Sequence, residues 1–201
     1  MRAAASEFDT GGYKGSSLSR IARAAGISVG ALTFHFPNKE ELAAAVRAEG
    51  REATETAVRR VAARREPPVR AVASLSVALT ALLEEDVTVR AAARLSREST
   101  EYCSEWTSVW MPVIHDRLGS PAGARTPAEG AALECLATYL VVGAEHDIRR
   151  RASCPDIPAG RPAQRVARIW DLVMHCLTDE TGHTAPTPPS TGTAPPVTNE
   201  A

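Results

Sequence analysis

The spacing of the apolar residues is the sequence feature that constrains the fold of this chain most. In every stretch between the glycine and proline breaks, this spacing is that of a helix. Over residues 69–83, apolar side chains recur three or four positions apart, as on one face of a helix. No segment alternates apolar and polar residues with the period of two that a half-buried strand needs. The apolar content of 44% includes only 4% aromatic residues, so it consists mostly of helix-favouring residues. The sequence therefore predicts an all-α fold.

Glycine, proline and capping residues divide this pattern into separate predicted helices. In chain order they cover residues 2–8, 18–25, 29–36, 39–65, 69–83, 87–113, 131–144 and 166–177. Ser16 or Ser17 is the predicted cap of the second helix, and Pro112 interrupts the sixth. Proline- and glycine-rich loops are predicted at 119–130 and 153–164. Residues 181–201 contain almost no apolar side chains, so they are predicted to form a disordered tail.

Charge and cysteine usage argue against several classes of protein. The formal net charge is -1, so any contact with nucleic acid must come from a local basic patch. The cysteines are irregularly spaced and form no CxxC pair, which predicts reduced, buried residues rather than a disulfide framework or a zinc site. The N-terminus has no basic-then-apolar leader, and no stretch approaches the roughly 20 apolar residues of a membrane span. We expect a cytoplasmic protein without membrane contact.

The N-terminal region has the outline of a helix-turn-helix, in which the second of two short helices enters the DNA major groove. The two predicted helices at 18–25 and 29–36 are joined by a turn at Gly26. All charged residues after Thr10 and up to position 39 are basic: Lys14, Arg20, Arg23 and Lys39. Because phosphate binding requires such a local patch, the charges support a DNA-binding interpretation.

Gly30 is an unusual choice in the second short helix, because glycine costs about 1 kcal/mol relative to alanine there. Either it lets the backbone approach another surface closely, or it relieves crowding between helices. Leu32 and Phe36 share the face that should pack inward, whereas Val29 and Thr33 share another.

Lys39 follows the predicted cap Asn38, so it lies in the first turn of the long helix. A cation there opposes the positive end of the helix dipole. A DNA phosphate would remove the conflict, because it binds both the ammonium and the free backbone N–H groups. We therefore predict that Lys39 contacts phosphate.

The stretch SSLSRIARAAGISVGALTFHFPNKEEL resembles the N-terminal DNA-binding domain of TetR-type transcriptional repressors. The matching motifs are Gly12-Tyr13, Ser16-Ser17, Ile21-Ala22, Ala25-Gly26-Ile27, Gly30-Ala31-Leu32-Thr33-Phe34-His35-Phe36 and Lys39-Glu40-Glu41-Leu42. The GAL-x-FHF variant is similar to the γ-butyrolactone receptors of actinomycetes. The resemblance implies a homodimer with a DNA-binding domain over residues 1–50, and a ligand-binding and dimerisation domain over 51–180. It also implies a repressor of secondary-metabolite or antibiotic genes, released from double-stranded operator DNA by a small apolar effector such as a γ-butyrolactone.

The resemblance assigns candidate DNA contacts to residues of the motif. They are Ser16, Ser17, Ser28, Val29, Gly30, Thr33, His35 and Lys39. Thr33 departs from the tyrosine that is usual in the family, and Val29 from the usual lysine or threonine. The first predicted helix is also shorter than in the family. These departures support an alternative, a pseudo-receptor or heterodimer partner with weakened DNA recognition that senses another small molecule.

Three large rings recur every four residues in the predicted regulatory domain, at Tyr102, Trp106 and Trp110. They line either an apolar ligand pocket or the ordinary core. The resemblance to γ-butyrolactone receptors favours a pocket, with Trp106 as the first candidate ligand contact and Trp110 as the second. The apolar helix at 131–144 and the stripe around Trp170 are candidates for a four-helix dimer interface.

No enzyme motif stands out. The sequence contains no Ser/His/Asp order, no P-loop and no GxGxxG. Glu145, His146 and Asp147 are consecutive, so their side chains diverge on a helix and do not suggest a metal site. We predict no catalytic activity, no metal and no cofactor.

Overall fold

The computed structural model describes residues 1–101, 105–120, 122–124, 126–153 and 160–179, and all regular structure within them is helical. The helices are α1 (Arg2–Gly15), α2 (Leu18–Ala25), α3 (Val29–His35), α4 (Lys39–Ala62), α5 (Pro68–Glu85), α6 (Val87–Glu98), α7 (Met111–Leu118), α8 (Pro127–Ser153) and α9 (Pro162–Asp179). A short 3-10 turn, Thr107–Val109, precedes α7. The predicted all-α fold is confirmed.

Side-chain caps begin α2, α3 and α4. The side-chain oxygens of Ser17, Ser28 and Asn38 each accept a hydrogen bond from the backbone N–H three residues further on. Gly26 ends α2 with φ at 69°, in the left-handed region that favours glycine. The predicted turn between α2 and α3 is thus confirmed, with Ser17 as the cap and Ser16 buried before it.

Two hydrophobic cores meet at α6. The N-terminal core contains α1, α2, α3 and the start of α4, and α6 contributes Ala91 and Leu95 to it. The second core contains the rest of α4 and helices α5 to α9, and here α6 contributes Val89 and Ala93. Helix α6 therefore joins the helix-turn-helix to the C-terminal helices.

The first helix extends further than the predicted 2–8, to Gly15. Gly12 interrupts it with φ 66° and ψ -176°, a conformation that is essentially restricted to glycine. Contacts from α6 support the turn beyond this kink, because Glu98 accepts a hydrogen bond from the Tyr13 N–H at 2.8 Å. The prediction of a short first helix was therefore wrong. The segment after Phe8 is polar and glycine-rich and shows no helical pattern, and the distant carboxylate of Glu98 stabilises it.

Gly12→Ala is expected to destabilise the protein by about 1–3 kcal/mol, because alanine does not tolerate this backbone conformation. An added Cβ would also lie 2.5 Å from both carboxylate oxygens of Glu98. Gly15→Ala is the control, since a Cβ at Gly15 meets no atom within 4 Å. Urea unfolding of both variants measures the difference. Equal stabilities would contradict the kink at Gly12.

Other predicted boundaries were also wrong. Helix α4 ends before 65, and the stripe over 87–113 is not one helix, because α6 ends at Glu98 and α7 begins at Met111. Pro112 does not break a helix but lies in the first turn of α7, where its missing N–H costs nothing. The predicted loops at 119–130 and 153–164 extend too far at their C-terminal ends, because α8 begins at Pro127 and α9 at Pro162; residues 154–159 of the second loop lie outside the described ranges.

Several sequence predictions concern residues outside the described ranges: Tyr102, Cys103, Cys154 and the 181–201 tail. Cys135 and Cys176 are free but exposed, so their predicted burial was wrong. In the part of the chain that the structure describes, no helix has the length and apolar character needed to cross a membrane.

Candidate functional site

Helix α3 has an inner and an outer face. Leu32 is buried, and Phe36 packs against the same N-terminal core, which confirms the predicted inner face. Gly30 and Phe34 lie on the side opposite Leu32, and Val29 and Thr33 flank them. We call these four residues the outer face of α3. Phe34 is 83% exposed and Val29 42% exposed, so the outer face presents apolar side chains to solvent.

Gly30 has open space around it. Apart from the adjacent residues and the backbone of α3 itself, the nearest atom to a Cβ built at this position would be the Oγ of Ser28, at 3.9 Å. Relief of crowding between helices therefore does not explain this glycine. Glycine weakens the helix at this position, and no packing contact within the described part of the chain explains its presence.

Lys39 has partners within the N-terminal domain. Its Nζ donates to the carbonyl oxygens of Tyr13 at 2.8 Å and Ser16 at 3.2 Å, and it lies 4.3 Å from the centroid of the Tyr13 ring. These carbonyls lie at the C-terminal end of α1, which attracts cations. Burial, followed by a hydrogen bond with Glu40, raises the pKa of Tyr13, so the phenol stays protonated at neutral pH. The electrostatic conflict seen in the sequence is thus resolved within the chain, and the contact between Lys39 and phosphate stays a prediction.

Lys39→Ala is expected to destabilise the protein by about 1–2 kcal/mol, because it removes two charge-assisted hydrogen bonds. Lys14→Ala is the control, since Lys14 is exposed and should change stability little. Chemical unfolding gives the stabilities, and the salt dependence of DNA binding gives the phosphate contacts. A slope flattened by about one unit in both variants, with a stability loss only in Lys39→Ala, would assign both roles to Lys39. An unchanged stability would contradict the structural role.

The remaining basic residues of the patch divide into two kinds. Arg20 contacts the carbonyl oxygen of Gly15 and the carboxylate of Glu7, so it also holds the end of α1. Lys14 and Arg23 are exposed, and neither side chain has an ion pair or hydrogen bond within the described part of the chain. These two cations are therefore the ones available to a phosphate backbone without breaking a contact.

Several polar side chains that were predicted to contact DNA, on or next to α2 and α3, form hydrogen bonds within the chain. Ser17 and Ser28 cap their helices, and Ser16 donates to the carbonyl of Tyr13. The hydroxyl of Thr33 donates to the carbonyl oxygen of Gly30 at 3.2 Å, which uses its only proton inside the helix. His35 is exposed, and its ring lies 5.3 Å from that of Phe34. The structure thus places Val29, Gly30 and Thr33 on the outer face of α3, with Ser28 as its N-cap and His35 as its last residue. The other predicted contacts, Ser16, Ser17 and Lys39, lie outside α3.

Charged side chains of α6 hold α1. Nε of Arg90 lies 2.8 Å from Oδ2 of Asp9, and Arg94 donates to the carbonyl oxygen of the same residue at 2.6 Å. Although burial raises the pKa of Glu98, hydrogen bonds from Arg94 and the Tyr13 N–H, with the nearby arginine charges, lower it overall. Glu98 therefore stays ionised and holds the turn of α1 beyond Gly12 at neutral pH.

The same helix is also tied to α8. Arg97 lies 2.5 Å from Oε2 of Glu145 in α8, and Arg149 lies 2.8 Å from the same oxygen. Glu145 is buried, and Asp147 pairs with Arg151, so these carboxylates belong to ion pairs. No group of three or more potential metal ligands occurs among the described residues.

Trp106 and Trp110 lie in the second core. Their ring centroids are 5.6 Å apart and the rings meet edge to face. They do not share one face of a continuous helix, as the spacing suggested, but lie on either side of the 3-10 turn. Nε1 of Trp106 donates to Oγ1 of Thr54 at 3.1 Å, whereas Nε1 of Trp110 is buried with no partner in the described ranges.

A cleft of about 690 Å³ lies elsewhere, where α1, α4 and α6 meet. Its lining is largely charged and includes Lys14, Glu40, Arg47 and Glu98. The cleft adjoins the junction between the two cores and does not involve either tryptophan of the predicted effector site.

Helices α8 and α9 expose large apolar side chains. Tyr139 and Val142 of α8 are 73% and 39% exposed, and Ile169 and Leu172 of α9 are 37% and 68% exposed. An apolar surface of this kind is typical of a protein–protein interface.

The sequence did not identify Phe34 as a candidate DNA contact, although its position was visible in the pattern. Phe34 is out of phase with the inward-facing Leu32 and Phe36, so a large ring at this position must project away from the core.

Residues 1–46 match the family model described as bacterial regulatory proteins, tetR family. A TetR-like transcriptional regulator from Rhodococcus sp. RHA1 is 18% identical, with 87% of this chain and 92% of that chain covered and a TM-score of 0.62. CprB from S. coelicolor A3(2), a TetR family protein, is 24% identical over 90% and 89% of the chains, with a TM-score of 0.62. A γ-butyrolactone receptor described as ArpA-like is 24% identical over 86% and 83%, with a TM-score of 0.61. A search of curated protein sequences found no match.

Proposed function

We propose, from the TetR-family helix-turn-helix domain at the N-terminus and the TetR-like fold of the chain, that this protein is a ligand-responsive DNA-binding transcriptional repressor of the cytoplasm. The observation that carries the proposal is Gly30, a helix-weakening residue with open space beside it on the outer face of α3. A duplex that approaches the α3 backbone closely gives this glycine a role. Lys14 and Arg23 supply cations for the flanking phosphates.

The exposed apolar residues of α8 and α9 support a homodimer. Two such helices from each chain form a four-helix bundle across a two-fold axis, which buries Tyr139 and Leu172. The two copies of α3 then contact half-sites of a roughly palindromic operator.

Effector binding acts through α6 in this proposal. Arg90 and Arg94 fix α6 to α1, and Arg97 fixes it to Glu145 of α8. An effector that enters the second core and shifts α6 therefore changes the spacing of the two α3 helices. DNA and effector bind preferentially to different spacings, so each weakens the binding of the other.

The effector of this proposal is a small apolar molecule with a hydrogen-bond acceptor, for which a γ-butyrolactone is the model. The buried N–H of Trp110, which has no partner among the described residues, supports this chemistry, because an acceptor oxygen there would satisfy it. Trp110 thus becomes the first candidate contact, ahead of Trp106, whose N–H is already bonded to Thr54. The solved structures of γ-butyrolactone receptors with the same fold add support.

Gel-shift assays with DNA from the chain's own upstream region and neighbouring promoters test the function. We expect sequence-selective binding that weakens steeply with salt, since phosphate contacts release counterions. A synthetic γ-butyrolactone should release the DNA and change tryptophan fluorescence, and Trp110→Phe should reduce both effects. Absence of any sequence-selective DNA binding would overturn the proposal.

One observation favours the alternative, a pseudo-receptor or heterodimer partner with weak DNA recognition. The Thr33 hydroxyl and the Lys39 ammonium are both engaged within the chain. Thr33→Tyr separates the two functions, because it restores a side chain that reaches beyond α3. A large gain in affinity would favour the alternative, and an unchanged affinity would favour the repressor.

A further inference from the structure

We propose that α3 recognises its DNA site mainly through the 5-methyl groups of thymine, with Phe34 and Val29 as the contacting side chains. This inference rests on the proposed function, since it names the feature of DNA that the outer face of α3 binds. It predicts thymines at the base pairs that face Phe34 and Val29, in the major groove of each half-site.

Helix α3 and the turn before it lack the side chains that distinguish bases by paired hydrogen bonds, and the side chain of Asn38, in the turn after α3, is engaged as the cap of α4. Arginine recognises guanine in this way, asparagine and glutamine recognise adenine, and acidic residues accept from cytosine. None of these residues occurs from Gly26 to Pro37. Base recognition by α3 therefore depends on hydroxyl groups, on His35 or on apolar contacts.

The hydroxyl groups are poorly placed for this task. The Thr33 hydroxyl donates its proton to the carbonyl oxygen of Gly30, and the Ser28 oxygen accepts the N–H of Ala31 as the helix cap. A contact with a base acceptor would require Thr33 to give up its present bond. His35, the proton of the Ser28 hydroxyl and the acceptor lone pairs of Thr33 remain as the polar competitors.

The apolar side chains are well placed. Phe34 is 83% exposed and belongs to neither core, so packing within the described chain does not account for it. Val29 lies on the same outer face, and Gly30 between them adds no side chain that would hold a base edge away. The exposed cations Lys14 and Arg23 belong to the same N-terminal region and favour a polyanion as its partner. In a DNA major groove, the thymine methyl is the apolar group that these side chains can cover.

Replacement of thymine by deoxyuridine tests the inference, because it removes the methyl and leaves every hydrogen-bonding group of the base. Preferred sites are first selected from random duplexes with the full chain, and each thymine is then replaced in turn. We expect about a four-fold loss of affinity for each methyl contact, and about a fifteen-fold loss when the equivalent thymines of both half-sites are replaced. Thymines outside the half-sites are the control and should change affinity little.

Protein variants assign the contact. Phe34→Ala should weaken binding and abolish the advantage of thymine over deoxyuridine at the base pair that faces Phe34, whereas His35→Ala should preserve that advantage. Selective binding that is insensitive to deoxyuridine at every position would overturn the inference and leave the proposed function intact. Sensitivity that disappears in His35→Ala but persists in Phe34→Ala would also overturn it. If no sequence is selected at all, the proposed function fails as well.

Discussion

Trp110→Ala is expected to lower the free energy of unfolding by about 3–5 kcal/mol, the range for truncation of a large buried aromatic side chain. The Trp110 side chain is fully buried and packs edge to face on Trp106. It lies in the core shared by α4 and the C-terminal helices, so its removal leaves a cavity between several elements that collapse only partly into it. Urea unfolding followed by circular dichroism measures the loss.

Phenylalanine variants separate the size of the indole from its N–H group. Trp106→Phe removes the hydrogen bond to Thr54, whereas Trp110→Phe removes an N–H that has no partner in the described part of the chain. Trp106→Phe should therefore cost about 1 kcal/mol more than Trp110→Phe. If Trp110→Ala were no less stable than Trp110→Phe, the ring would not pack as the structure shows.

The existence of the helices could be predicted from local pattern, but their ends often could not. The apolar spacing in α5 is sufficient to predict that helix, because its buried side is continuous. Helix α1 continues through Asp9-Thr10-Gly11-Gly12, where no apolar pattern exists, because Arg94 and Glu98 satisfy its backbone groups. Those contacts come from residues more than 80 positions later, and a local pattern contains no information about them.

In the candidate site, too, the sequence indicated which residues are unusual but not which groups they contact. The sequence indicated that a cation at Lys39 needs a negatively polarised partner, and it predicted a DNA phosphate, a contact that stays a prediction; it did not identify the partners within the chain. The structure supplies them as the carbonyl oxygens of Tyr13 and Ser16, which the fold of α1 against α4 brings close. The tryptophan spacing was similarly visible in the sequence. The sequence did not show that Trp106 is bonded to Thr54 of α4, whereas the N–H of Trp110 has no partner among the described residues.

Gly30→Ala is expected to weaken DNA binding at least ten-fold while it stabilises the folded chain by up to about 1 kcal/mol. Stability rises because alanine favours the helix, and the added Cβ has open space, with its nearest neighbour 3.9 Å away. DNA binding falls because the methyl group projects from the outer face of α3, where the proposed duplex approaches the backbone. Thermal unfolding and fluorescence anisotropy with a labelled site measure the two effects.

Gly30→Ala is expected to lower DNA affinity and to raise stability. Because the variant is more stable, unfolding cannot explain its loss of DNA binding, and it is therefore more informative than a truncation. Ala31→Gly is the matched control on the neighbouring position of α3. It should reduce stability by up to about 1 kcal/mol and leave DNA affinity nearly unchanged under conditions where the chain stays folded. If Gly30→Ala bound DNA as well as the unmodified chain, α3 would not approach DNA along this face, and both the contact at Gly30 and the thymine recognition by Phe34 would have to be abandoned.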